Sequence, residues 1–285
     1  MALPFDLELA TAGQALTGSS AGLTLGLAGL FIALTAVEMV WPLVRRPVEA
    51  RGRLLTNFGM GALNFGLAAL APLSVPAVAL VAERNGWGLL NLTPEPVWAT
   101  VVATVLIVSL AQYLFHRAAH AWPLLWRLHR VHHADTAVDL STTLRNHPLE
   151  LLCVIPWLSA VALVFGLSAP VLTAFQIVAL GFGLWGHANL RLTPATDRLL
   201  RLVVVTPPMH HLHHSVDQRE TDSNFGDVFS LWDRLFRTHS RRTPEEMDTL
   251  RRGLGDADDA VAGHLGRQLI QPFSRTRPAP VERIV

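Results

Sequence analysis

Five stretches of the chain run apolar for close to twenty residues, with the polar positions gathered between them. The first is Ser19–Trp41, broken only by Glu38 near its end. The second, Phe58–Ala82, contains Pro72 and Pro76. Val97–Phe115, Leu149–Leu167 and Ala169–Gly186 complete the set. A bilayer-spanning helix needs ~20 apolar residues, so each run predicts a helix of membrane dimensions. Prolines and glycines inside such helices are tolerated, because neighbouring helices and local adjustments satisfy the freed backbone groups. Runs four and five meet at Gly166-Leu167-Ser168-Ala169-Pro170, which predicts a tight helical hairpin that either spans or re-enters. The expected fold class is an all-α integral membrane protein with four to five transmembrane or re-entrant helices.

Composition agrees. Hydrophobic residues make up 51% of the chain, charged residues 16%, and mean hydropathy is +0.35, which argues against a soluble domain. The net charge of +1 carries no nucleic-acid footprint. Cys153 is the one cysteine, so neither an internal disulfide nor a thiolate metal site is available. The first eighteen residues hold Asp6 and Glu8 but no basic residue, so no cleavable signal peptide is expected.

The arginines predict orientation, since short cytoplasmic loops are enriched in them. Arg45, Arg46, Arg51 and Arg53 follow the first run and mark that loop as cytoplasmic, leaving the N-terminus outside. The segment Glu83–Pro96 holds one arginine against two glutamates and suits the outer side. Run three then re-enters, and runs four and five go out and back. Every histidine-rich stretch falls on the cytoplasmic face in this topology.

Those stretches carry the chemistry. Tyr113–His133 holds His116, His120, His129, His132 and His133, and a second burst holds His210, His211, His213 and His214. Together they supply nine of the thirteen histidines. Neutral imidazole is the commonest protein ligand for transition metals. His116 and His120 lie four apart, on one face if run three stays helical. The zinc-protease motif would need a glutamate at 117, where the chain has Arg117. His129, His132 and His133 form H-x-x-H-H, and His210, His213 and His214 repeat it. Adjacent helical positions diverge by about 100°, so the paired histidines can serve different metals, as a two-metal site would require. The competing reading is a titratable basic surface.

Other polar residues are candidates by position. His187, at the mouth of run five, has the depth and face of a ligand, with Asn189 as a supporting partner. His211 points away from the 210/213/214 face and is expected outside the ligand set or towards solvent. His147 precedes Pro148, in a non-helical approach to run four, and suits a structural or supporting role. Asp135, Asp139 and Asp217, together with Glu220 and Asp222, follow the boxes; carboxylates in such places typically accept the second N–H of a ligating imidazole. Phe225, Phe229, Trp232 and Phe236 read either as an interfacial surface or as packing beneath the site.

HRAAH at 116–120, HRVHH at 129–133, TTLRNHPLE at 142–150, HANLRL at 187–192, TPPMHHLHHS at 206–215 and TDSNFGDVFSLWDRLFRT at 221–238 resemble the fatty acid hydroxylase / sterol desaturase superfamily. The order of the boxes is closer to its bacterial sterol-desaturase-like branch than to acyl-CoA desaturases. The resemblance implies a cytoplasmic helical cap holding two iron ions, with O2 as co-substrate. It implies His116, His120, His129, His132, His133, His187, His210, His213 and His214 as ligands. It further implies a lipid substrate from the bilayer, such as an acyl chain or sterol, that is hydroxylated or desaturated. With no nucleotide-binding fingerprint in the chain, electrons must come from an external reductase with a ferredoxin- or cytochrome-type carrier. The implied location is a bacterial inner membrane. The expected organisation is an N-terminal transmembrane region of two helices (1–96), a catalytic region with three further helices and the boxes (97–239), and a cytoplasmic C-terminal tail (240–285). Two other classes are open: a histidine-lined divalent-metal transporter, which calls for ionisable residues at mid-bilayer that the runs almost lack, and a membrane metal sensor.

Overall fold

The structure is a computed structural model that describes residues 20–44, 52–70, 74–93, 96–255 and 262–274. The first nineteen residues and Arg45, Arg46 and Arg51, on which the signal-peptide and loop-charge readings rest, lie outside the described residues. The main helices are α1 Ser20–Val40, α2 Arg53–Leu70, α3 Val75–Arg84, α4 Val97–Ala121, α5 Pro123–His133, α6 Pro148–Phe165 and α7 Ala169–His187. Shorter ones follow: α8 Pro194–Leu200, α9 Pro207–His213, α10 Gln218–Thr221, α11 Leu231–Leu235, α12 Pro244–Asp248 and α13 Leu265–Ile270. Among the described residues, four segments are long and apolar enough to cross a membrane: Arg53–Asn91, Val97–Ala121, Pro148–Phe165 and Ala169–His187; Leu25–Val40 is a shorter apolar helix. The protein is an all-α membrane protein. A belt of exposed apolar side chains, including Ile32, Phe65, Trp98, Leu106, Val164 and Val178, is what a lipid-facing bundle presents.

The second apolar run is two helices. Ser74 accepts from the Ala77 N–H as an N-cap, and proline occupies the first turn of α3. Proline there forfeits only an N–H that a helix start leaves unpaired. Val75 and Ala79 of α3 pack against Val108 and Ala111 of α4, Leu158 and Ala162 of α6, and Leu172 and Phe175 of α7. Helix α3 therefore shares one core with α4 and α7, which bear histidines at their ends.

The expected α6–α7 hairpin turns at Gly166, whose φ of 66° lies in the left-handed region that glycine adopts without strain. A Cβ there would sit 2.6 Å from Asn91 Nδ2 and 2.7 Å from the Trp87 carbonyl. The turn thus lies against the loop after α3. The opposite ends of the helices converge elsewhere. Buried Glu38, at the end of α1, accepts from Leu140 N at 3.3 Å and Asn189 N at 2.6 Å, just beyond α7. At 25 residues and 1.5 Å per residue, α4 is about 38 Å long, longer than a hydrocarbon core of about 30 Å.

On that face sits a cap built from α5, the 3₁₀ turn Leu140–Leu144 and α9 to α13. A buried charge network fastens it. Arg53 of α2 donates to Asp135 at 3.0 Å and also to Asp139. Asn57 and Thr142 donate to the same Asp135 carboxylate at 2.9 and 2.7 Å. Burial alone would raise the Asp135 pKa. The charges of Arg53 and Arg145, with these hydrogen bonds, outweigh burial and lower it to about 2.

The described parts of the expected C-terminal tail, 240–255 and 262–274, are part of this cap. Met247 and Leu250 share a buried cluster with Leu43 and Leu212. Arg145, fully buried, donates to the Ala262 carbonyl at 2.8 Å. His147 donates to the Leu269 carbonyl at 3.1 Å while its Nδ1 accepts from Leu149 N, capping α6. Apolar residues such as Met247 and Leu250 give this otherwise polar stretch something to bury.

Candidate metal centre

Three helix ends and one short helix aim imidazoles at a common point. α4 contributes His116 and His120 from its last turns, α5 His129, His132 and His133, and α7 His187 as its final residue. α9 starts on two prolines and supplies His210 and His213, with His214 at its C-cap. The imidazoles form two groups. One is His116, His120, His129, His133 and His213; the other is His132, His187, His210 and His214; within each, the candidate ligand atoms lie within 4.8 Å of one another. Each H-H pair is divided, with His133 and His213 in the first group and His132 and His214 in the second. Pairs four apart stay together (116/120, 129/133, 210/214), because i and i+4 share a face.

The outer nitrogens are committed. His116 Nδ1 donates to the Phe225 carbonyl at 2.9 Å, with Asp227 at 3.5 Å. His120 Nδ1 meets Asp222 at 3.3 Å, and His129 Nδ1 meets Glu150 at 2.8 Å. His187 Nδ1 donates to the Gly183 carbonyl at 2.7 Å, and His213 Nδ1 to the Ser223 carbonyl at 2.7 Å. A donating Nδ1 leaves the lone pair on Nε2, the inner nitrogen. The Nε2 atoms of His116, His120, His129 and His213, and both nitrogens of His133, are buried without a protein partner among the described residues. In the second group, His187 Nε2 faces His132 Nε2 at 3.0 Å and His210 Nε2 at 2.9 Å. One lone pair cannot accept from both.

Buried polar groups are almost always paired, so convergent orphan lone pairs call for a shared partner that accepts electrons. A cation held by each group satisfies them all. Burial first, and neighbouring imidazoles second, push the pKa values of His132, His133, His210, His213 and His214 well below the usual histidine range. These rings are neutral at physiological pH, as ligation requires. The residues present fit two metal ions.

The other candidates fall outside both groups. His211 is fully buried rather than solvent-facing: its Nε2 donates to the His187 carbonyl at 3.1 Å and its Nδ1 accepts from Arg252 at 2.9 Å. With both nitrogens used, it braces the ligand-bearing end of α7. Asn189 is occupied by the backbone of Val44, at 2.9 and 2.7 Å, and supports no imidazole through those bonds. Asp135 and Asp139 serve Arg53, and Asp217 caps α10 through Arg219 N at 3.0 Å. The carboxylates that meet imidazoles are Glu150, Asp222 and Asp227. Of these, Asp222 was expected from its position; Glu150 and Asp227 were not. Glu150 stands in the 142–150 stretch, on the first turn of α6, where only the folded chain brings it to His129.

Of the four aromatic residues, Phe225 and Trp232 pack beneath the site, Phe229 packs on Phe175 in the helix core, and Phe236 keeps an exposed edge. Phe225 and Trp232 are buried with Tyr113. The Phe225 ring lies 5.7, 5.1 and 5.7 Å from those of His116, His120 and His213, and Trp232 Nε1 donates to Ser109 at 3.1 Å. Phe236 stacks on Tyr113 at 5.3 Å.

The fold and site define a membrane protein whose cap gathers nine imidazoles into two buried groups. Residues 101–238 match the family model for fatty acid hydroxylase. Among curated relatives, ornithine lipid hydroxylase OlsE of Rhizobium tropici is 30% identical over 260 residues, 88% of this chain and 74% of the relative. Alkylglycerol monooxygenase of Homo sapiens is 28% identical over 212 residues, 73% of this chain and 46% of the relative. Very-long-chain aldehyde decarbonylase GL1-4 of Oryza sativa subsp. indica is 28% identical over 182 residues, 58% and 28% of the two chains. The chain thus spans less than half the length of the human relative. No solved structure matches it. The chain belongs to the fatty acid hydroxylase family.

Proposed function

We propose that the protein is a di-iron lipid hydroxylase that uses O2 and two external electrons to convert an unactivated C–H bond to an alcohol. The observation that carries this reading is the pair of buried imidazole groups, five of whose rings line a cavity with Phe115, Val154 and Leu158, in a chain of this family. His116, His120, His129, His133 and His213 would hold one iron, and His132, His187, His210 and His214 the other. Iron bound there supplies O2 activation and attack on the C–H bond. The balance is R–H + O2 + 2 e⁻ + 2 H⁺ → R–OH + H2O.

The protein's own residues bind, orient and exclude. Backbone carbonyls of Phe225, Gly183 and Ser223, and the carboxylate of Glu150, fix ring tautomers and aim the inner nitrogens. A cavity of about 230 Å³ opens on His116, His129, His132, His187 and His210. A second, of about 430 Å³, shares His187 and His210 with it and continues along α7 past Ala179, Leu180 and Phe182. Those walls suit a hydrocarbon chain arriving from the bilayer. The arginine distribution supports a cytoplasmic cap, the natural side for a reductase with a ferredoxin- or cytochrome-type carrier. Hydroxylation is favoured over desaturation by the relatives named as lipid hydroxylase and monooxygenase.

The test is isotopic. Membranes containing the protein, supplied with reductant and ¹⁸O2, are expected to yield a lipid alcohol carrying one labelled oxygen. An unlabelled product with a new double bond would replace hydroxylation by desaturation. Unchanged lipids from iron-loaded, reduced protein would remove the oxygenase reading.

A further inference from the structure

The cavity beside the imidazoles is not uniformly apolar, and its polar groups are unequally used. Thr143 Oγ1 is engaged with the Gly183 carbonyl at 3.0 Å and His187 Nδ1 at 3.1 Å. Asn146 Nδ2 donates to the Thr143 carbonyl at 3.1 Å, and Asp227 faces His116. Two acceptors of this lining, Gln112 Oε1 and Glu150 Oε2, are buried with no protein partner among the described residues. Gln112 also lines the apolar continuation along α7, so it stands where the two cavities join. It lies four residues before His116 on α4, on the same face and about 5–6 Å away between Cβ atoms. A glutamine in a membrane-spanning helix is costly to keep and marks function by default.

We propose that Gln112, with Glu150, forms a subsite for a hydrogen-bond donor on the substrate, an uncharged hydroxyl or amide N–H, and so selects lipids with such a group close to the carbon attacked. This rests on the lipid-hydroxylase reading above and adds the substrate class. Both unpaired atoms are acceptors, so the ligand must bring the proton. A donor pinned one helical turn from His116 leaves the hydrocarbon to run past Leu180 and Phe182. The carbons beside the imidazoles are then those near the head of the lipid, not those at its methyl end. A simple ester or a hydrocarbon would leave both acceptors buried and unpaired, which disfavours binding.

Binding of two radiolabelled probes of equal chain length tests this without turnover. The purified full chain in phosphatidylcholine nanodiscs is offered N-hexadecanoylethanolamine, which has an amide N–H and a hydroxyl, and methyl hexadecanoate, which has no donor. The wild type is expected to bind the ethanolamide about 10-fold more tightly, the effect of one buried hydrogen bond. Gln112→Leu is expected to lose that preference with iron content unchanged, and Gln112→Glu, which keeps the acceptor, to retain it. Equal affinity of the wild type for both probes would overturn the proposal, as would an undiminished preference in Gln112→Leu. Should Gln112→Leu not fold, the wild-type ratio and Gln112→Glu still decide. Because binding is read directly, absence of iron or of lipid oxidation would count against the hydroxylase reading and leave this result standing by itself.

Discussion

Purified His132→Ala is expected to lose about one iron per chain and to oxidise lipid at roughly a thousandth of the wild-type rate. His132 belongs to the smaller group, so its removal leaves three imidazoles where four converge. The other group keeps all five. Metal assistance contributes several kcal/mol to the barrier, and each ~1.4 kcal/mol is tenfold in rate, which sets the size of the loss. His133→Ala removes a ring from the larger group, which retains four; a smaller loss of metal is expected, although the same rate assay should fall. Exposed His264→Ala serves as control and should match the wild type. Iron quantified against protein, with lipid product measured in parallel, checks the series. Wild-type iron and turnover in His132→Ala would remove that residue from the ligand set.

Asp135→Asn is expected to destabilise the fold by about 3–5 kcal/mol, the usual cost of removing one partner from a buried ion pair. The side chain is isosteric, so the effect isolates charge. Arg53 would keep Asp139. Arg145 would not be so served: burial lowers its pKa, and Asp135 is the carboxylate that opposes that effect. Asparagine also cannot accept at both oxygens, although Arg53, Asn57 and Thr142 converge on one of them and Ala137 N on the other. Thermal unfolding in detergent, compared with the wild type at neutral pH, measures the difference. A change below about 1 kcal/mol would mean that the cap is held to the bundle by packing alone.

The helices and the histidines were legible because both signals are local. Apolar length predicts α4, α6 and α7, and Gly166 marks their hairpin. The turn of about 100° between neighbouring helical residues predicts that His132 and His133 part company, and the structure sends them to different groups. What the sequence hid depends on distant partners. Glu150 is 21 residues from His129, Asp227 is 111 from His116, and Arg252 is 41 from His211. Asp135 and Asp139, adjacent to a box in the chain, turn instead to Arg53 of α2, which no spacing rule connects to them. Run two concealed a helix boundary because apolarity continues across it, and only the cap at Ser74 and the proline after it mark the restart. Gln112 is a lone polar residue in an apolar run, and what it faces becomes visible only when α4 is packed against the cavity.

The central claim is that nine histidines hold two irons, and counting the metal tests it most directly. Protein purified in detergent, reconstituted anaerobically with Fe(II) and freed of loose metal, is expected to carry two irons per chain by elemental analysis against amino-acid quantification. One iron or fewer per chain under those conditions would contradict it.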